Sequence, residues 1–181
     1  MPNEILYFEG RKKTKKVQNR NLQTRTTMDT TDITKALLAP MDLTWKPNNR
    51  MGADGYLWVP YIDARDVQKR LDDVLGFKWK AEHYGEAGKI FCRISILIDG
   101  EWISRTDAGH ETQVEADKGA ASTAFRRAAA MFGVGRFIYQ VDPIYTRAEQ
   151  RGKNVVIISD DGEFLVKNKD KFDYLNEKAG L

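Results

Sequence analysis

The amino-acid sequence predicts an α+β domain, and three observations carry that reading. A capped, helix-periodic stretch ends on Gly76, strand-like runs with a tight-turn signal follow it, and an alanine-rich helix closes the series. Helix stripes and half-buried sheets each need something to bury their apolar face against, so this order implies a sheet packed on helices.

The elements read as follows. Asp32–Leu38 is a short amphipathic helix stopped by Pro40, and Trp45–Arg50 is an extended connection because the residue before Pro47 avoids the α region. Tyr56–Tyr61 alternates enough for a short strand. Asp63 can cap a helix whose apolar positions, Val67, Leu71, Val74 and Leu75, recur at helical spacing before Gly76. Three strands follow, Phe77–Tyr84, Lys89–Ile98 and Glu101–Thr106, the last two joined by an Asp99-Gly100 hairpin signal. A second helix runs from about Glu115 to Phe132, with Ala121, Phe125, Ala128 and Phe132 on one face and Gly133 as its stop. Val155–Ser159 and Glu163–Val166, joined through Asp160-Asp161-Gly162, read as a terminal hairpin.

Composition sets the frame for function. The 181 residues are 41% hydrophobic and 30% charged, which fits one soluble globular domain with flanking extensions. No run of about 18 apolar residues exists for a membrane span, and Arg11-Lys12-Lys13 follows Leu6-Tyr7-Phe8 too closely for a signal peptide. The single cysteine, Cys92, reads as a packed, inert thiol. The net charge of +3 is uneven: residues 1–27 carry seven basic and two acidic side chains, leaving the remainder slightly acidic. Nucleic-acid binding by the folded part therefore requires a local basic patch. The expected divisions are a disordered basic tail over 1–27, a core domain over 28–145, and a C-terminal extension over 146–181 with a β-hairpin and a short helix. Within the tail, Glu4–Gly10 resembles a tag-removal protease site of the form E-x-L-Y-F-x-G, with Ile5 and Glu9 where Asn and Gln are usual; a site of that kind would make part of the tail an expression remnant, with Met28 as a plausible natural start.

The segment Ala120–Gly133 is the most informative. Its side chains are small apart from Phe125, Met131, Phe132 and the adjacent Arg126 and Arg127, so it can lie close to a sheet or to another subunit. Lys118, Ser122 and Arg126 follow one another at i, i+4 spacing and form a basic ridge. Arginine offers a rigid fork of donors for phosphate oxygens. On spacing alone, a solvated face paired with Glu115 and Asp117 explains the ridge equally well.

Other signals are weaker. Gly133-Val134-Gly135-Arg136 lacks the ending and the preceding strand of a phosphate loop. Asp99, Glu101, Asp107, Glu111, Glu115 and Asp117 could hold Mg²⁺ in a metal-dependent nuclease, although two flank a turn and two open a helix, where acids are favoured anyway. His83 and His110 are too separated for a zinc site. Trp79 and Trp102 read as core, and Trp58, near Arg50 and Tyr61, is the better candidate for stacking bases. A protein-binding adaptor using the alanine-rich helix is a third reading.

A set of ordered motifs adds to this. Leu38-Ala39-Pro40, Trp45-Lys46-Pro47, Asn49-Arg50-Met51-Gly52, Tyr61-Ile62-Asp63-Ala64-Arg65, the Asp99-Gly100 hairpin, Gly109, and the basic-pair helix ending Met131-Phe132-Gly133 stand in sequence, with Val134–Tyr139 as their finish. Over Thr34 to Tyr139 the chain resembles the Rad-fifty-two type of single-strand annealing proteins. The similarity is to the bacterial and phage branch, which includes the DNA-damage-response A proteins and phage annealases. The resemblance implies a β-β-β-α core assembled into rings or short helical arrays, with single-stranded DNA in an outer basic groove. It implies complementary strands annealed in recombination and repair without ATP, cofactor or metal. The positions it carries over to the DNA backbone are Arg50, Arg126 and Arg127, with Lys118 as a further basic position. Two departures stand out: Ala130 replaces a basic residue one turn after the pair, and Ile98 replaces an outer-site lysine. A second DNA site would then draw on Lys78, Lys80 or Arg105. The implied partners are single-stranded DNA, further copies of the chain, and a single-strand binding protein or recombination nuclease, in the cytoplasm of a bacterial or phage-infected cell.

Overall fold

The structure, a computed structural model, describes residues 29–52, 54–109 and 116–181, so the basic tail lies outside the described residues. Helix α1, Thr30–Leu38, is capped by Asp29, whose carboxylate accepts the Asp32 backbone N–H at 2.8 Å. Strands β1, Thr44–Met51, and β2, Gly55–Tyr61, form an antiparallel hairpin. The stretch expected as an extended connection is thus a strand. Pro47 fits because β1 is an edge strand and the register shifts between Pro47 and Asn49, where a missing donor is tolerated.

Helix α2, Ala64–Leu75, starts where expected: the Asp63 carboxylate accepts the Arg65 N–H at 2.9 Å, and Gly76 ends it at φ 59°. The meander is β3, Trp79–Glu86, β4, Lys89–Ile98, and β5, Glu101–Gly109, all antiparallel. The first strand begins two residues later than its sequence signal, since Phe77 and Lys78 make the turn out of Gly76, and β5 continues to Gly109. Helix α3, Ala116–Ala130, packs across β4 and β5. It comes so close that a Cβ on Gly109 would collide with the Ala120 carbonyl. Cys92, Ile94 and Ile96 of β4 meet Leu71 of α2 and Ala124, Ala128 and Ala129 of α3 in one core. Burial pushes the Cys92 thiol up to about 11.

That packing corrects one expectation. The small faces at Ala120 and Ala128–Ala130 are buried within the chain's own core and are not presented to a neighbouring subunit or an adaptor's target.

The C-terminal stretch is more than a hairpin. Strands β6, Ile144–Arg151, β7, Asn154–Ile158, and β8, Phe164–Leu165, extend the β1–β2 hairpin into a five-stranded sheet ordered β1-β2-β6-β7-β8. Leu57 of β2 pairs with Tyr145 of β6, so a division between residues 145 and 146 falls inside a strand. Helix α4, Asn168–Ala179, covers this sheet, and Trp45, Trp58, Ile157 and Leu175 form a second core beneath it. Among the described residues no helix is long and apolar enough to cross a membrane.

Candidate nucleic-acid interface

The two arginines of α3 leave the helix on adjacent radii about 100° apart and reach different parts of the molecule. Arg126 turns toward the β1–β2 hairpin. Its Nε donates to the Ser122 carbonyl at 3.3 Å, its Nη2 to the Thr123 hydroxyl at 3.1 Å, and its guanidinium carbon lies 4.3 Å from the centroid of the Tyr61 ring. Lys46, on the neighbouring strand, places its ammonium 3.2 Å from the same ring centroid. Cations are drawn to the negative face of an aromatic ring, so Tyr61 gathers two positive charges from distant parts of the sequence.

Arg127 turns toward the meander, where its Nη2 donates to the Asp107 carboxylate of β5 at 3.1 Å. Both partners are more than a quarter exposed, so the pair contributes little to stability. Arg136, in the 3-10 turn Arg136–Gln140, donates from Nε to the Ala130 carbonyl and from Nη2 to that of Met131, both at 2.8 Å. It satisfies the orphan carbonyls at the α3 C-terminus, where a cation is favoured. Arg126 and Arg127 line one cavity of about 190 Å³ with Thr123, Ile62, Val134 and Tyr139. Arg127 and Arg136 line the adjoining depression, again with Tyr139, which is 63% exposed. The two depressions share Arg127, Ala130 and Tyr139, and Asp107 lines the second beside its arginines.

The other expected residues distribute differently. Arg50 pairs with Tyr56 at the far end of the hairpin, on the sheet face of Trp58. Five residues of strand, roughly 17 Å, separate that level from Tyr61, so Lys46 and not Arg50 is the hairpin cation brought to Arg126. Lys118 opens α3, and its side chain lies outside the described residues. Lys80 sits over the Trp102 ring at 5.1 Å and lies 3.9 Å from Glu82, on the meander face away from α3. Arg105, paired with the buried Ile94, lies on the helix side, 5.8 Å from the Phe132 ring. Lys78 is in the turn before β3, its carbonyl accepting the Leu97 N–H. Lys80 and Arg105 therefore stand on opposite faces and make no joint second site.

Trp79 packs against the first core as expected, whereas the assignments of Trp58 and Trp102 reverse. Trp58 is 2% exposed and its indole N–H donates to the Thr146 hydroxyl at 2.8 Å, so its ring is committed to the second core and closed to bases. Trp102, expected in the core, is 48% exposed. Of the considered metal ligands, Asp107 is engaged by Arg127 and Asp99 accepts from the Thr30 hydroxyl at 3.2 Å. Glu111, Glu115 and the Asp117 side chain lie outside the described residues, and among those described no cluster of three or more metal-ligating side chains exists.

Sequence reasoning missed Lys46, Tyr61 and Arg136 as members of the site. All three sit in motifs that carried the resemblance, but only the hairpin register brings Lys46 and Tyr61 to α3.

Residues 29–154 match the Rad52/22 family double-strand break repair protein model. The chain is 34% identical over 123 residues to the single-stranded DNA-binding protein DdrA of Deinococcus deserti, covering 63% of this chain and 60% of that protein. It is 33% identical over 123 residues to the protein of the same name from Deinococcus radiodurans, covering 63% and 58%. The chain thus spans about three-fifths of the length of these curated relatives. No solved structure matches it.

Proposed function

The chain belongs to the Rad52/22 family of double-strand break repair proteins, and on that premise we propose that it binds single-stranded DNA along the α3 concavity and anneals complementary strands without nucleotide hydrolysis. The observation that supports this most is the convergence of Lys46 and Arg126 on Tyr61, beside Arg127 and Arg136. Lys46 and Arg126 meet at Tyr61, and Arg126, Arg127 and Arg136 line two adjoining depressions, in a chain whose net charge is only +3. The DdrA relatives are named for single-stranded DNA binding, which agrees with that geometry.

Phosphate contacts carry no sequence information, so such a surface holds any strand. A strand held by its backbone leaves most bases able to meet a complement, and annealing then runs downhill through pairing and stacking. Several copies arranged in a ring or short array would multiply weak contacts through effective concentration. Lys118 and Arg50 are kept as further backbone contacts of this proposal, with Lys78, Lys80 and Arg105 as peripheral cations.

The test is an annealing assay with complementary oligonucleotides in EDTA and without nucleotide. Accelerated annealing that is lost in Arg126→Ala supports the proposal. Acceleration that demands Mg²⁺ and ATP overturns it, as does strand cleavage in Mg²⁺. Sedimentation with and without oligonucleotide reads the assembly: a mass of one 20.7 kDa chain under both conditions removes the ring.

A further inference from the structure

The two faces of the five-stranded sheet differ in what they meet. Trp45, Trp58, Ala148 and Ile157 point to the side that α4 covers. Side chains alternate along a strand, and directly paired residues share a face. Along β2, Gly55, Leu57, Val59 and Tyr61 therefore take the other side, and with them go their partners Arg147, Tyr145 and Lys46. The face on which Lys46 and Arg126 meet Tyr61 thus continues onto β6.

Two features of β6 mark that continuation. The Tyr145 ring rests directly on Gly55, where a Cβ would come within 2.1–2.3 Å of its atoms, so the missing side chain of Gly55 makes its seat. The Tyr145 hydroxyl donates to the Asp54 carboxylate at 3.2 Å, and the ring is still 49% exposed. Arg147 follows on the same face, exposed and with no hydrogen bond or ion pair among the described residues. Other arginines are spent inside the fold: Arg70 and Arg136 on backbone carbonyls, Arg127 on Asp107 and Arg151 on Glu149.

From this we propose that Arg147 is a further backbone contact for the bound single strand, reached across the open face of the sheet and past the ring of Tyr145. It rests on the single-strand binding proposed above and carries that site into β6, beyond Tyr139, where the shared motifs end. The ligand is a phosphodiester chain and not a free phosphate. Arg147 has no buried donor or unpaired cation beside it to trap a small ion, since the next arginine on its face, Arg151, is held by Glu149 and lies over the Phe164 ring at 4.5 Å. A strand already held at Lys46 and Arg126 supplies the missing affinity, because a tethered second contact forms at high effective concentration. Tyr61 and Gly55 are six residues apart on β2, roughly 20 Å, which about six nucleotides span at roughly 3.4 Å each in a stacked strand. An exposed ring between two cations is the surface that single strands use.

The experiment is fluorescence anisotropy of a labelled oligothymidine of about sixteen nucleotides with the unaltered protein, Arg147→Gln and Lys169→Gln. Lys169 is on α4, which covers the opposite face, and its loss changes the net charge equally. In Arg147→Gln the slope of log affinity against log salt is expected to fall by about 0.7, which is about fivefold in affinity at about 0.1 M relative to 1 M salt. Arg147→Lys should restore the slope, and Lys169→Gln should leave it unchanged. An unchanged slope in Arg147→Gln overturns the contact, even if affinity falls, and so does an equal fall in Lys169→Gln, which would report net charge alone. Binding that is lost in Arg126→Ala but unmoved in Arg147→Gln overturns this extension and spares the site on α3. Failure of the unaltered protein to bind the oligonucleotide overturns the underlying reading instead.

Discussion

Arg126→Ala separates what the concavity does for the fold from what it does for a strand. Within the protein the substitution removes two hydrogen bonds, at 3.3 and 3.1 Å, and a cation–π contact at 4.3 Å. A partly exposed cation–π contact contributes about 0.5–1 kcal/mol, and hydrogen bonds from a part-buried guanidinium to its own helix contribute at the low end of the usual 0.5–1.5 kcal/mol, roughly. Alanine has the higher helix propensity and returns a little of this. The net loss of about 1–2 kcal/mol is small beside the roughly 5–15 kcal/mol of a typical domain, so the variant stays folded. On the DNA side, one charge-assisted contact is worth about 1.5–3 kcal/mol, a loss of roughly ten- to more than a hundredfold per site. One fewer neutralised phosphate also lowers the slope of log affinity against log salt by about 0.7 for a single strand.

The assay is fluorescence anisotropy of a labelled oligothymidine between about 50 and 200 mM salt, with thermal melting of the same preparation. Weaker binding, a shallower slope and a nearly unchanged melting curve are expected together. A weaker affinity with an unchanged slope would mean that Arg126 only holds the hairpin in place through Tyr61. If neither affinity nor slope moves, the DNA contact lies elsewhere and the groove assignment is refuted.

Three further outcomes follow from particular contacts. Lys46→Gln should reduce the salt slope by about the same 0.7 and leave the melting temperature nearly unaltered, since the ammonium is on an exposed strand residue; an unchanged slope removes Lys46 from the site. Gly109→Ala should cost at least the 1–3 kcal/mol, roughly, of overpacking in urea unfolding, because its Cβ would meet the backbone carbonyl of Ala120 and not a movable side chain; wild-type stability would contradict the close approach of α3. Native Cys92 should resist a disulfide reagent near about pH 8 and react only on unfolding. Because burial raises its folded value to about 11, the neutral thiol favours the folded state below the unfolded value, and that contribution is lost as pH climbs from roughly 9 toward 11; stability flat across that window would refute it.

Local signals were legible wherever the chain announces itself in a few residues. Asp63 and Gly76 delimit α2, Asp99-Gly100 turns β4 into β5, and apolar periodicity marks α3. What the sequence concealed was non-local. Strand β6 reads as polar and charged, Tyr-Thr-Arg-Ala-Glu-Gln-Arg, and becomes a strand because β2 and β7 flank it. Trp58 looks like a surface aromatic beside cations until β6 supplies Thr146 for its indole and α4 covers the sheet. The small face of α3 looked equally suited to a subunit partner and to its own sheet, and the absent side chain of Gly109 decided for the sheet. For the site, the sequence pointed to α3 and its arginine pair but not to their companions, since nothing in the local pattern links Lys46 to a ring fifteen residues later.

The adjacency of Arg126 and Arg127 lets one helix brace the fold on two sides at once. Had the two arginines been four residues apart they would share a face and compete for the same partner. Side by side, one reaches the ring at the end of β2 and the other the carboxylate on β5, so α3 ties the hairpin sheet to the meander. Neither tie is deep: a cation over a partly exposed ring and a partly exposed ion pair are each worth about 1 kcal/mol or less. A phosphate offers either guanidinium a charged acceptor of greater strength, so a bound strand can replace these contacts without unfolding what they hold.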